Sequence, residues 1–149
     1  MKTALPLTIF ILAAGCDGGE APSVEVVSAT PDALVTTDDA LDDLTIRVRY
    51  EDPTGDLGGG TARVHDCRSA AVVTELGIPT ISNAVGVDEK IAISGELELV
   101  VTDVGTQPSA GVSDVCDTAG AAAGAFCVVL VDGAGNESDP GCTPVLQIR

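Results

Sequence analysis

Seven consecutive residues, Leu44-Thr45-Ile46-Arg47-Val48-Arg49-Tyr50, alternate apolar and polar side chains without a break. Side chains repeat every two residues on a strand and every 3.6 on a helix. The run therefore gathers Leu44, Ile46, Val48 and Tyr50 on one face only as a strand, with Thr45, Arg47 and Arg49 left in water. Thr61 to Cys67 alternates in the same way, with Ala62 and Val64 inward. Ile91 to Val101 sets Leu97, Leu99 and Val101 against Glu96 and Glu98, as one long strand or two short ones. Phe126, Val128 and Leu130 point inward along a strand that stops at Asp132-Gly133.

Shorter strands are expected over Val24 to Val27, near Ala71 to Leu76 and over Pro144 to Ile148. Turn formers separate them, notably Thr30-Pro31-Asp32 and the segment Glu51 to Gly60 with Pro53 and four glycines. The Ala-rich stretch Ala119 to Ala125 has a helical look. Gly120 and Gly124 weaken a helix there by about 1 kcal/mol each relative to Ala, and it reads as loop. Aromatic residues are only 2% of the 149, with no Trp, so the core must be aliphatic. About seven turn-bounded strands without a clear amphipathic helix predict an all-β, antiparallel sandwich as one domain.

The N-terminus reads as an address. Lys2 supplies a positive charge, and Ala4 to Ala14 is apolar apart from Pro6 and Thr8. That stretch is too short to span a bilayer and suits the hydrophobic region of a signal peptide. Its end, Leu12-Ala13-Ala14-Gly15-Cys16, resembles the lipobox of bacterial lipoproteins, with Ala13 where the family usually carries a large aliphatic residue. The resemblance implies a signal peptide over residues 1–15, cleavage before Cys16, and palmitate-type acyl chains on that cysteine. A tether over residues 16–22 would then lead to the sandwich, residues 23–149. The alternative is an ordinary secretory signal cut nearby. Lipidation implies a bacterial cell envelope protein bound to the inner or outer membrane through Cys16, and Asp17 in the next position favours the inner membrane in some Gram-negative bacteria.

A second resemblance rests on Phe126 to Ser138. The run Phe-Cys-Val-Val-Leu-Val-Asp-Gly-Ala-Gly-Asn-Glu-Ser looks like the penultimate strand and following turn of bacterial immunoglobulin-like and fibronectin type III-like domains. It implies an immunoglobulin-like sandwich and carries little about activity, because that fold hosts unrelated functions.

Cys67, Cys116, Cys127 and Cys142 remain after the anchor, an even number in an exported chain, and two disulfides are expected. Four cysteines allow three pairings. If Val64 and Val128 face the core, Cys67 and Cys127 share the outer face of strands that neighbour one another in an immunoglobulin topology. That favours Cys67 with Cys127 and Cys116 with Cys142, while Cys116 with Cys127 stays open. The same topology brings Asp52 and Asp56 to the same end as Asp132 and Asn136. These oxygens form a candidate calcium site, and Asp, Asn and Gly in such loops equally serve as turn formers.

Other chemistry finds less support. His65 is the only histidine, lies on an alternating strand with no nucleophile motif, and is expected to be exposed. A formal charge of −16 without a basic patch opposes nucleic-acid binding. The cluster Asp38, Asp39, Asp42 and Asp43 reads as a solvated loop, or as a site for a basic partner. The expected protein is a non-catalytic, lipid-anchored envelope module, structural or binding an envelope protein partner. The alternatives are a calcium-dependent adhesion module and a small envelope hydrolase.

Overall fold

The computed structural model describes residues 19–34, 43–68, 73–80, 91–104, 113–122 and 124–148. Along the chain run β1 (Ser23–Thr30), β2 (Ala33–Leu34), β3 (Leu44–Asp52), β4 (Thr61–Asp66), β5 (Val73–Gly77), β6 (Ile93–Val101), α1 (Asp114–Thr118), β7 (Phe126–Val131), β8 (Gly141–Cys142) and β9 (Gln147–Ile148). One antiparallel sheet has the order β1-β3-β6 and the other β5-β4-β7-β8, while β2 pairs in parallel with β9. Among the described residues nine strands fill seven positions, because the first is split into β1 and β2 and the last into β8 and β9. This is the strand partition of an immunoglobulin-like sandwich: the alternation predicted the antiparallel sandwich, and the resemblance of Phe126 to Ser138 implied its immunoglobulin-like form.

The faces follow the parity of the sequence. Leu44, Ile46 and Val48 of β3 are fully buried and Tyr50 nearly so. They meet Leu99 and Val101 of β6, Ala62 and Val64 of β4, and Phe126, Val128 and Leu130 of β7 in one core. Each fully buried aliphatic side chain stabilises the fold by roughly 1.5–3 kcal/mol relative to exposure. β1 needs an irregularity to join this core. Val24 and Val26 pack against it, and a register shift between Val26 and Ser28 changes the parity so that Ala29 packs inward too, leaving Val27 exposed.

The β3–β4 connection passes under the end of β7. A Cβ on Gly60 would run into the Val131 carbonyl, so the close approach of these two segments requires glycine there.

One element was not foreseen. Ser113 caps α1, its hydroxyl accepting the Cys116 N–H at 3.3 Å, and Asp114 and Asp117 stand in the first turn. The signal was present as Ser followed by acidic residues, in a segment too short to show a helical period. After it, residues 119–122 and 124–125 are turn and loop, as Gly120 and Gly124 imply.

Candidate functional site

Two arrangements of side chains with chemical potential stand out. The first lies at one end of the sandwich, where the loops after β3 and β7 meet: the Gly133 N–H donates to the Asp56 carbonyl at 2.8 Å. The loops therefore adjoin, as the topology implied. Asp52 is fully buried at the end of β3, and its Oδ1 accepts the Thr54 N–H at 2.9 Å while Oδ2 accepts the Leu57 N–H at 2.7 Å. The Thr54 hydroxyl sits between the Asp52 and Asp56 carboxylates. Burial alone would raise the Asp52 pKa. The donors Leu57, Thr54 and Gly55 together outweigh it and hold the carboxyl below its ordinary 3.8.

Asp132 repeats the device on the other loop. Its Oδ1 accepts the Ala134 and Asn136 N–H groups at 2.9 and 2.8 Å, and its Oδ2 accepts the Asn136 side-chain amide at 2.8 Å. The four candidate calcium ligands thus form two separate turn-building sets, each carboxylate directed onto its own loop. They do not form one convergent cage. A cleft of about 260 Å³ beside Asp52, lined by Glu51, Pro53, Ala92, Ile93 and Ser94, is below the range of roughly 300–1,000 Å³ usual for small-molecule sites.

The second arrangement covers the outer face of the four-stranded sheet. Cys67 and Cys127 do share that face, as parity required, but they are not bonded to each other. The bridges are Cys67–Cys116 and Cys127–Cys142, which corrects the favoured pairing of Cys67 with Cys127 and Cys116 with Cys142, and also the alternative of Cys116 with Cys127. The reason lies in the ladder. Cys127 of β7 stands directly opposite Cys142 of β8, with their Cα atoms 4.0 Å apart. Cys67 lies one residue beyond β4, where α1 lays Cys116 over the sheet.

The result is a second buried cluster of Cys67, Cys116, Ala125 and Cys127, with Val115, Ala121 and the half-buried Cys142 packed against it. The bridges touch: Cys67 Sγ and Cys127 Sγ are 3.4 Å apart. Among the described residues, the sulfurs of Cys67, Cys116 and Cys127 are the one group of three metal-type ligand atoms within reach of a common point, and all three are engaged in disulfides.

His65 departs from expectation. It stands opposite Cys127 in the ladder and is buried, 9% exposed. Among the described residues its Nδ1 has no hydrogen-bond partner, and no Ser or Asp side chain hydrogen-bonds to the ring. Burial, with a smaller contribution from Arg63, lowers its pKa below the ordinary 6.5.

A third feature was missed. Arg68 and Asp66 form a buried ion pair at 2.7 Å, and Arg68 also donates to the Val104 carbonyl at 2.8 Å and lies over the Phe126 ring, 5.3 Å from its centre. The pair clips the end of β4 to the segment after β6. Asp-Cys-Arg in sequence shows two opposite charges around a cysteine, but nothing in it distinguishes a buried pair from an exposed one. The other arginines among the described residues are likewise paired: Arg47 with Glu98, Arg49 with Glu25 and Glu96, and Arg63 with Glu75 and Glu137.

Cys16 and the acidic residues Asp38, Asp39 and Asp42 lie outside the described residues; Asp43 is exposed. No helix among the described residues is long and apolar enough to cross a membrane. No family model matches the chain, and no curated protein or solved structure matches it.

Proposed function

We propose that the chain is a lipid-anchored module of the bacterial cell envelope, held to the inner or outer membrane through Cys16, and that it is a non-catalytic structural or protein-interaction domain. The observation that supports this reading most is the coexistence of the Leu12-to-Cys16 motif with two disulfides formed by the four remaining cysteines. Disulfides persist in exported proteins, and a cysteine left over from the pairing is available for acylation. The surface agrees with this. The described arginines are neutralised by carboxylates, which leaves an acidic exterior suited to solubility and poorly suited to nucleic acid.

The test is intact mass of the protein from the membrane fraction, wild type against Cys16→Ala, before and after reduction. A diacyl or triacyl increment that disappears in the variant, with a gain of four hydrogens on reduction, supports the proposal. A freely released chain with no acyl increment overturns the anchor.

A further inference from the structure

We propose that the two touching disulfides form a thiol–disulfide relay, with Cys142 as the entry point for an external thiol, Cys127 as the carrier and Cys116 as the cysteine finally released. The inference concerns the folded sandwich and does not rest on the lipid anchor.

Access selects the first step. Cys67, Cys116 and Cys127 are fully buried, whereas Cys142 is half-buried on the two-residue strand β8. An external thiolate therefore meets the Cys142 sulfur first. The new bond forms between that thiolate and Cys142 Sγ, the Cys127–Cys142 bond breaks, and its electron pair leaves on Cys127 Sγ.

Proximity selects the second step. The Cys127 sulfur stands 3.4 Å from Cys67 Sγ, so closing to an ordinary disulfide length requires a movement of about 1.4 Å. Attack there forms Cys67–Cys127, breaks Cys67–Cys116 and leaves the electron pair on Cys116 Sγ, which takes up one proton. One thiol has entered and one has been released, and the number of disulfides is unchanged. No oxidant or reductant is consumed.

The released sulfur has a waiting donor. The Ser113 hydroxyl lies 3.1 Å from Cys116 Sγ and is placed to donate to it as charge develops, while Asp114 and Asp117 in the same turn oppose that charge. His65 stands opposite Cys127 in the ladder on the same face.

The product is informative about the fold. It joins Cys67 to Cys127, the pairing that strand parity favours, and it frees α1 from its covalent tie to β4. The arrangement described above is the one that keeps α1 fastened.

The experiment uses the full oxidised chain with a small molar excess of glutathione, quenched with acid, alkylated with N-ethylmaleimide at low pH and mapped by peptide mass. The expected products are glutathione on Cys142, a Cys67–Cys127 linked peptide and the alkyl group on Cys116. Alkylation on Cys127 with Cys67–Cys116 intact would overturn the relay, as would a chain that reacts only under denaturing conditions. The Cys127→Ser/Cys142→Ser variant, checked for native circular dichroism, provides the second arm. Its Cys67–Cys116 bridge should open at least tenfold more slowly than in the wild type, and an unchanged rate would show that the bridge is attacked directly. Should that variant not fold, Ser113→Ala in the intact four-cysteine chain replaces it. Release of Cys116 should slow while entry of glutathione at Cys142 does not, and equal slowing of both would overturn the assignment of Cys116 as the released group.

Discussion

Between the sheets, Leu44, Ile46, Val48, Val64, Val128 and Leu130 exclude water by shape and number, with Phe126 the one aromatic side chain fully buried among them. On the outer side of the four-stranded sheet, Cys67, Cys116 and Cys127 are just as dry, yet the cluster around them is small and is closed by two covalent bridges. The inner region would form from any well-patterned aliphatic strands. The outer one exists only because residues 113–122 are fastened across the sheet. An alternating strand implies one dry face and one wet face, so the outer patch is an addition to what alternation specifies.

The largest expected effect lies in the inner region. Phe126→Ala removes the largest fully buried side chain and the ring beneath Arg68, and should cost about 3–5 kcal/mol in urea unfolding. A loss below about 1 kcal/mol would mean that the aliphatic core collapses into the space, and that the two regions are less different than their construction suggests.

The outer region should respond to its bridges. Replacing Cys67 and Cys116 together by Ala should cost about 2–4 kcal/mol, and replacing Cys127 and Cys142 about 1 kcal/mol less, because the closed segments span 49 and 15 residues. Chemical denaturation of the two double variants checks the order. The reverse order would show that direct closure of the β7–β8 ladder matters more than the entropy of the longer loop.

How much of this contrast was legible follows from the same physics. Alternation has a fixed period, so Leu44 to Tyr50, Ala62 and Val64, and Phe126 to Leu130 revealed their inward faces and with them the sandwich. The outer patch has no period. Parity placed Cys67 and Cys127 on one face, but their partners depended on where α1 crosses and on the short ladder opposite β7, and neither leaves a repeat in the sequence. His65 departs from expectation for the same reason: its outward strand position implied water, and its burial depends on tertiary packing that strand parity does not encode. The loops of Asp52 and Asp132 were located correctly, because consecutive turn formers mark them. Their use was not legible, since a carboxylate directed at its own backbone and one directed at an ion share the same composition.

Those carboxylates give the next expectations. Asp132→Ala leaves the Ala134 and Asn136 N–H groups without their acceptor and should cost about 1–3 kcal/mol, while EDTA should leave the thermal midpoint of the wild type unmoved. A midpoint lowered by EDTA and restored by calcium would convert the turn builders into ligands.

The acid response distinguishes Asp52 from His65. The folded Asp52 pKa is below its unfolded value, so its contribution is complete above about 3.8 and is lost as pH falls further. His65 is also lowered in the folded state. The unfolded chain then binds the proton more readily, so stability should decline as pH drops below about 6.5 and level off beneath the folded pKa. Denaturation at a series of pH values should show two separate declines, with His65→Gln removing the upper one and Asp52→Asn the lower. A single decline surviving both substitutions would place the titration elsewhere.

The smallest effect belongs to the outer face of the three-stranded sheet, which sharpens the comparison from the other side. There Arg49 bridges Glu25 of β1 and Glu96 of β6 at 3.2 and 3.5 Å, with about half of its side chain in water. Exposed pairs of this kind are weakened by hydration, salt and the entropy of long side chains, so Arg49→Ala should cost under about 1 kcal/mol and less still at high salt. Among the described residues no helix and no disulfide covers the Arg49 row, unlike the cysteine patch opposite. A loss above about 2 kcal/mol that persists in 1 M salt would mean that this face too is shielded from water, and the contrast between the wet outer face and the fastened one would fail.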